Sequence, residues 1–141
     1  MPITDLPRDH ADQAVRLWHD GGLTRPWNDP DADLHRALDG PASTVLAAWS
    51  DRSADRELLG TAMVGHDGHR GWMYYLAVAD AHRGRGWGRK LVTACEAWLI
   101  DRGIPAARLM VRADNAATVA FYGALGYDRS EVLVLGRRLD G

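Results

Sequence analysis

Apolar positions along the chain follow helical spacing in some stretches and strand-like runs in others, and each change of spacing marks an element. Residues 1–6 read as a short strand, which Pro2 and Pro7 confine to an edge or a strand start. Ala11, Ala14, Val15 and Trp18 then recur at the spacing of one helical face, predicting a helix over residues 7–20 that Gly21-Gly22 ends. Residues 31–38 read as a second helix, opened by Asp29-Pro30 and with acidic side chains in its first turn. Gly40-Pro41 turns the chain into a strand over residues 44–49, and a polar stretch, SDRSADRE, separates it from another over residues 58–66, where Gly60 marks a bulge. A glycine-rich turn at residues 67–71 leads into an apolar run at residues 72–78, the central strand.

Beyond that strand, Leu91, Cys95, Trp98 and Leu99 share one face of an amphipathic run over residues 90–102, ended by Gly103 and Pro105. Residues 106–113 read as a strand. Asp114-Asn115 offers an N-cap for a helix that runs to Leu125, with Gly126 as its C-cap. Residues 127–139 read as a closing strand, with Val132, Val134 and Leu139 on one face. The order is therefore β-α-α-β-β-β-α-β-α-β in a single domain over residues 1–141. Short connections make the second to fourth strands antiparallel. The helix between the fourth and fifth makes that pair parallel, through a right-handed crossover. The class is α/β (α+β), with a mixed, mostly antiparallel sheet.

The stretch with the most chemistry is LAVADAHRGRGWG, residues 76–88. It joins a strand to a helix start through Gly84, Gly86 and Gly88, with Arg83, Arg85 and Arg89 between and beside them. Such a bend leaves backbone N–H groups without internal acceptors, and the helix dipole adds positive potential there. Together they suit an anion, most often a phosphate. Glycine is required because a Cβ would block close approach and because some turn residues need positive φ. Glycines beside arginines also occur in ordinary turns. The spacing G-x-G-x-G differs from the dinucleotide fingerprint, and Leu91 after Lys90 excludes the Walker pattern.

What the stretch does match is R-x-x-G-x-G, at Arg83, Gly86 and Gly88 after the strand Leu76-Ala77-Val78. It resembles the pyrophosphate loop of the GNAT acetyltransferase superfamily. A second signature follows, in Asn115-Ala116-Ala117-Thr118-Val119-Ala120-Phe121-Tyr122 and Leu125-Gly126-Tyr127. The segments RPWNDP, residues 25–30, and DGHRGW, residues 67–72, are similar to the bacterial YpeA-like branch. The resemblance implies a GNAT fold with helices on both faces of the sheet and a splay between the fourth and fifth strands. It also implies an N-acetyltransferase that uses acetyl-coenzyme A as co-substrate. The diphosphate would be held by Arg83, Gly84, Arg85, Gly86, Trp87, Gly88 and Arg89. Leu76, Ala77 and Val78 would offer main-chain groups to the pantetheine and the thioester carbonyl, and Asn115 would reach the cofactor while capping its helix. Tyr122 aligns with the family's general acid. A phenol of pKa about 10 can reprotonate a thiolate whose acid has a pKa of about 8.5.

The acceptor side is less defined. The loop between the first two helices lines the acceptor groove in this family, which makes Arg25, Trp27 and Asn28 substrate candidates, with His69 and Arg70 across from them. Their arginines suggest an amine that also bears a carboxylate, a small molecule or a peptide. The base stays open among His66, Asp67, His69, Asp29 and a water chain. The chain has Met110 where ribosomal-protein alanine acetyltransferases carry a glutamate, and Trp72 where histone-type members carry one. Those departures leave a non-catalytic acyl-coenzyme A-binding or sensing domain as the alternative, and a ligand-free interaction module as a third reading.

Composition narrows this further. A net charge of −2 gives no case for nucleic acid or an anionic membrane. No apolar run is long enough to span a bilayer, and MPITDLPRDH lacks the pattern of a signal peptide, so a cytoplasmic location is expected. Cys95 is the single cysteine, which excludes a disulfide or cysteine zinc site; it reads as core. Lys90 is the single lysine, and the arginine-, alanine- and glycine-rich composition suggests a bacterial source. Monomer and homodimer are both compatible with the exposed aromatics.

Overall fold

The computed structural model describes residues 2–140. They form two compact units, Met1–Leu109 and Met110–Gly141.

The first unit is a five-stranded sheet with helices against both faces. In chain order it comprises β1 (Ile3–Asp5), α1 (Ala11–Asp20), α2 (Pro30–Asp39), β2 (Ser43–Trp49), β3 (Leu58–His66), β4 (Gly71–Val78), α3 (Trp87–Asp101) and β5 (Ala107–Arg108). The strands are ordered β1-β2-β3-β4-β5. All pairs are antiparallel except β4 with β5, which run parallel as the crossover through α3 requires. Two single-turn 3-10 helices, Arg8–His10 and Asp80–His82, precede α1 and the glycine bend. Residues 8–10 thus delay α1 to Ala11, later than the helical spacing suggests.

Both faces of β2 are buried, because its residues alternate between two apolar layers. Val45, Ala47 and Trp49 join Ala14, Trp18, Leu34 and Ala37 of α1 and α2 in one core. On the other face α3 supplies Leu91, Val92, Cys95 and Leu99. It comes close because Gly60 and Gly71 lack side chains: a Cβ on Gly71 would meet Leu99 Cδ1 at 2.4 Å, and one on Gly60 would meet Leu91 Cδ1 at 3.0 Å. Gly60 also adjoins a bulge, since the register with β2 shifts between Ala48 and Trp49.

Helix ends follow local chemistry. The Asp29 side chain accepts from the Ala32 N–H at 3.1 Å, and Pro30 takes the first helical position of α2. Gly22 after α1 has a φ of +71°, as a helix terminus of this kind needs.

The second unit carries α4 (Ala116–Ala124). Asn115 caps it, accepting from the Thr118 N–H at 3.2 Å.

Two expected strands differ. Residues 106–113 give only β5, two residues paired at Gly71↔Ala107 and Trp72↔Arg108. Residues 127–139 contain no strand, so the tenth element of the expected order is absent. Val132, Leu133, Val134 and Leu135 are 60–90% exposed. Their apolar run is strand-like in composition, but a strand exists only where a neighbouring ladder accepts its hydrogen bonds.

Candidate active site

The glycine bend is built as a cradle. Gly84 and Gly86 adopt φ of +77° and +83°, a conformation that L side chains rarely take. Gly86 is the N-cap of α3, which therefore begins at Trp87 and not at Lys90. The first amide to bond back is that of Lys90, which donates to Gly86 O at 3.1 Å. The N–H groups of Trp87, Gly88 and Arg89 precede it in the first turn, and no side chain caps the helix. Space beyond Gly84 and Gly86 is open: a Cβ at either would meet nothing within 4 Å. Trp87 is buried and fixes the start of the helix, with the Lys90 ammonium 4.7 Å from its ring centroid.

Arg83 is not a free cation here. Its Nε donates to Val78 O at 3.2 Å, and its Nη1 lies 3.2 Å from Asp80 Oδ1. It ties the bend to the end of β4. Arg85 and Arg89 are exposed.

Strand β4 carries a second special feature. Met63 pairs with Tyr74 and Thr61 with Ala77, so Tyr75 and Leu76 together face Ala62. This is a bulge, and Tyr75 sits in it with a φ of +51°, the only described non-glycine residue at positive φ. The strain is held by a chain of contacts. Trp18 Nε1 donates to Thr61 Oγ1 at 2.8 Å, and Thr61 Oγ1 donates to Tyr75 O at 3.1 Å. The Tyr75 ring stacks on Trp18 with centroids 3.9 Å apart. Its hydroxyl donates to Asp33 Oδ2 at 2.9 Å. Burial, and then that hydrogen bond, push the Tyr75 phenol far above its ordinary value, so it stays protonated. Pairing of β4 with β5 ends at Trp72. Leu76, Ala77 and Val78 consequently have no ladder partner on the edge away from β3.

Between α2 and β4 lies a groove of about 510 Å³, walled in part by Asn28, Asp33, Arg36, Trp72, Tyr74 and Tyr75. The bulge shifts the alternation of β4, which keeps Tyr75 on the same side as Trp72 and Tyr74. Gly65 makes room for the Trp72 ring, which a Cβ there would meet at 2.4 Å.

Of the acceptor candidates, Asn28 lines the groove. Arg25 shares its turn, with the Asn28 N–H donating to Arg25 O at 3.0 Å. The Arg25 guanidinium itself donates to Gly22 O and Thr24 O, at 2.9 and 2.8 Å, and Trp27 is 57% exposed. His69 and Arg70 belong to the β3–β4 turn. There Asp67 Oδ1 accepts from both of their amides at 2.8 Å, holding the Asp67 carboxyl below its usual range. His66 Nδ1 accepts from the Gly68 N–H at 3.0 Å. Asp67, His66 and the capping Asp29 thus spend acceptor capacity on local backbone. In the second unit Tyr122 is buried, its ring edge-on to Phe121 and Tyr127 at 5.0 and 5.6 Å.

A model of the acetyltransferase (GNAT) family matches residues 12–127. The chain belongs to that family. An acetyltransferase of Yersinia pestis (strain Pestoides F) is 38% identical over 139 residues, covering 99% of this chain and 96% of its own. One from Sodalis glossinidius is 41% identical over 140 residues, with the same coverage. Among solved structures, AAC(6')-Iy in complex with the bisubstrate analogue CoA-S-monomethyl-acetylneamine superposes with a TM-score of 0.79, at 18% identity and 97% coverage of each chain. A putative acetyltransferase from Agrobacterium tumefaciens gives 0.79, at 16% identity, covering 98% of this chain and all of that one. These two structures show the shared fold.

Membership makes the protein a GNAT N-acetyltransferase with acetyl-coenzyme A as its co-substrate. The first unit fits such a molecule: amides at a helix start, open space over two glycines, and an unpaired strand edge for an extended amide chain. No described helix is long and apolar enough to cross a membrane. The sequence places Trp18 on the apolar face of the first helix and does not single out Tyr75, Thr61, Asp33 or Arg36. Asp33 looks like an ordinary first-turn acid, and no local pattern announces a bulge inside an apolar strand.

Proposed function

We propose that this GNAT enzyme moves an acetyl group from acetyl-coenzyme A to the primary amine of a small carboxylate-bearing molecule or short peptide held in the α2–β4 groove. The observation that carries the reading is the groove itself. Its size suits a small ligand, and among its described lining residues it presents one base, Arg36, and one acid, Asp33. A polycationic acceptor would call for several acids. Asn28 lines the wall; Arg25 and Trp27 on the same turn, and His69 and Arg70 at the turn leading to Trp72, complete the acceptor candidates.

The co-substrate supplies an activated thioester. The amides of residues 84–89 grip its diphosphate, with Arg85 and Arg89 adding charge and Arg83 bracing the bend. Main-chain groups of Leu76, Ala77 and Val78 align the pantetheine, and an N–H near Ala77 or Val78 stabilises the developing oxyanion. Asn115 holds the α4 start, and Tyr122 Oη donates the proton that the departing thiolate takes.

The test is coenzyme A release with amino acids and dipeptides, each set against its amidated or decarboxylated counterpart. Faster release with the free carboxylate is expected; equal rates end the carboxylate requirement. If no amine triggers release while coenzyme A still raises the melting temperature, the protein is an acyl-coenzyme A-binding or sensing domain.

A further inference from the structure

Building on the acetyl-transfer reading, we infer that Asp33 is the specificity-determining carboxylate of the groove. It receives the ammonium group of the entering acceptor, while Arg36 receives that acceptor's carboxylate. The acceptor class is therefore a zwitterion with its two charges close together, an amino acid or the end of a short peptide.

Three observations carry this. First, Asp33 and Arg36 are the single acid and single base among the described residues lining the groove. They lie one helical turn apart, with Arg36 Nη1 3.6 Å from Asp33 Oδ1. That contact is too long for a hydrogen bond, so each group keeps capacity for a better partner. The separation also matches that of an ammonium and a carboxylate on one small molecule, which can lie antiparallel to the pair.

Second, the carboxylate is held in place. Tyr75 Oη donates to Oδ2 at 2.9 Å, and Tyr75 is itself fixed by its stack on Trp18 and by the Thr61 bond to its carbonyl. The phenol remains a donor because its titration lies far above the working range. Oδ1 faces the Arg36 guanidinium at 3.6 Å without a hydrogen bond, which leaves it open to a better-placed cation. A side chain fixed at the bulge of β4 thus orients one on α2, which positions the charge without a conformational cost on binding.

Third, the wall beside the carboxylate is aromatic. Trp72 and Tyr74 stand with ring centroids 5.2 Å apart, and Tyr74 is 42% exposed. Aromatic faces beside a carboxylate favour an ammonium over a neutral group of the same size.

The test is equilibrium binding to the coenzyme A-loaded protein, using glycylglycine, L-leucine and L-lysine, each with its Nα-acetylated counterpart. Wild type is expected to bind at least one free amine about tenfold or more tightly than its acetylated form, and Asp33→Asn to lose that preference. The control Asp31→Asn, an exposed first-turn acid outside the groove lining, keeps it. Tyr75→Phe, which retains the ring, weakens the preference severalfold, and it serves if Asp33→Asn does not fold. The coenzyme A-induced rise in melting temperature stays unchanged in every variant. A preference that survives in Asp33→Asn overturns the inference, and so does a wild type that binds none of the free amines. Asp33-dependent binding without coenzyme A release would retain this site and remove the acetyl-transfer reading instead.

Discussion

The glycine bend and the aromatic groove are built from different parts of the chain. The bend is contiguous, residues 83–89, and the groups proposed to grip the co-substrate are main-chain amides at the start of α3. The groove draws on the loop before α2, on α2 itself and on β4, and the groups proposed to meet the acceptor there are side chains. A main-chain site depends on backbone angles and hence on a few glycines. A side-chain site depends on the packing that brings distant positions together. The first suits a co-substrate common to a family, and the second can change from member to member without disturbing it.

The largest effect is expected at Tyr122, which belongs to neither region. Tyr122→Phe should lower kcat about a hundredfold while leaving coenzyme A affinity and acceptor KM near wild type. A loss of affinity in place of turnover would make the residue part of a binding surface. Next, Thr61→Val keeps the shape but removes the hydroxyl between Trp18 and Tyr75. It should cost about 2 kcal/mol in urea unfolding, because the buried Trp18 N–H loses its acceptor. Coenzyme A should still stabilise that variant as it does wild type; if it does not, bend and groove are not separable. Gly86→Val places a β-branched residue at a φ of +83° and fills the open side of the cradle. Coenzyme A affinity should fall about tenfold, read as a smaller ligand-induced shift in Tm, with amine binding in the groove untouched. The smallest response is expected at Cys95. Burial, with a lesser contribution from Glu96, pushes its thiol up to about 12. The folded protein should resist iodoacetamide at pH 8 and react only when unfolded. Ready labelling would show that α3 opens.

The same contrast explains what could be read from residues alone. The bend was legible because its glycines, the preceding strand and the following helix are neighbours in sequence. The start of α2 was legible because Asp29-Pro30 acts within one turn. The pairing directions of β2 to β5 followed from the lengths of their connections. The bulge was not legible: alternation assumes an unbroken ladder, and Tyr75 breaks it by geometry that only Trp18, Thr61 and Asp33 together enforce. Asp33 and Arg36 were hidden for a related reason, since each has an ordinary place on a helix and acquires meaning only opposite β4. Residues 127–139 misled in the other direction. Apolar alternation there promised a strand, but alternation says which face is apolar and not whether a partner strand is present.

The bulge also sets how far β4 can be edited. With two residues opposite one, the strand is one residue longer than a regular ladder needs. Deleting Leu76 would give a regular ladder that keeps Ala77 on Thr61 and Val78 on Gly60, so the approach to the glycine bend would stay in place, while Tyr75 would alternate away from Tyr74 onto the opposite face. A shortened relative with a regular central strand would then keep its glycine bend and lose the tyrosine that braces Asp33.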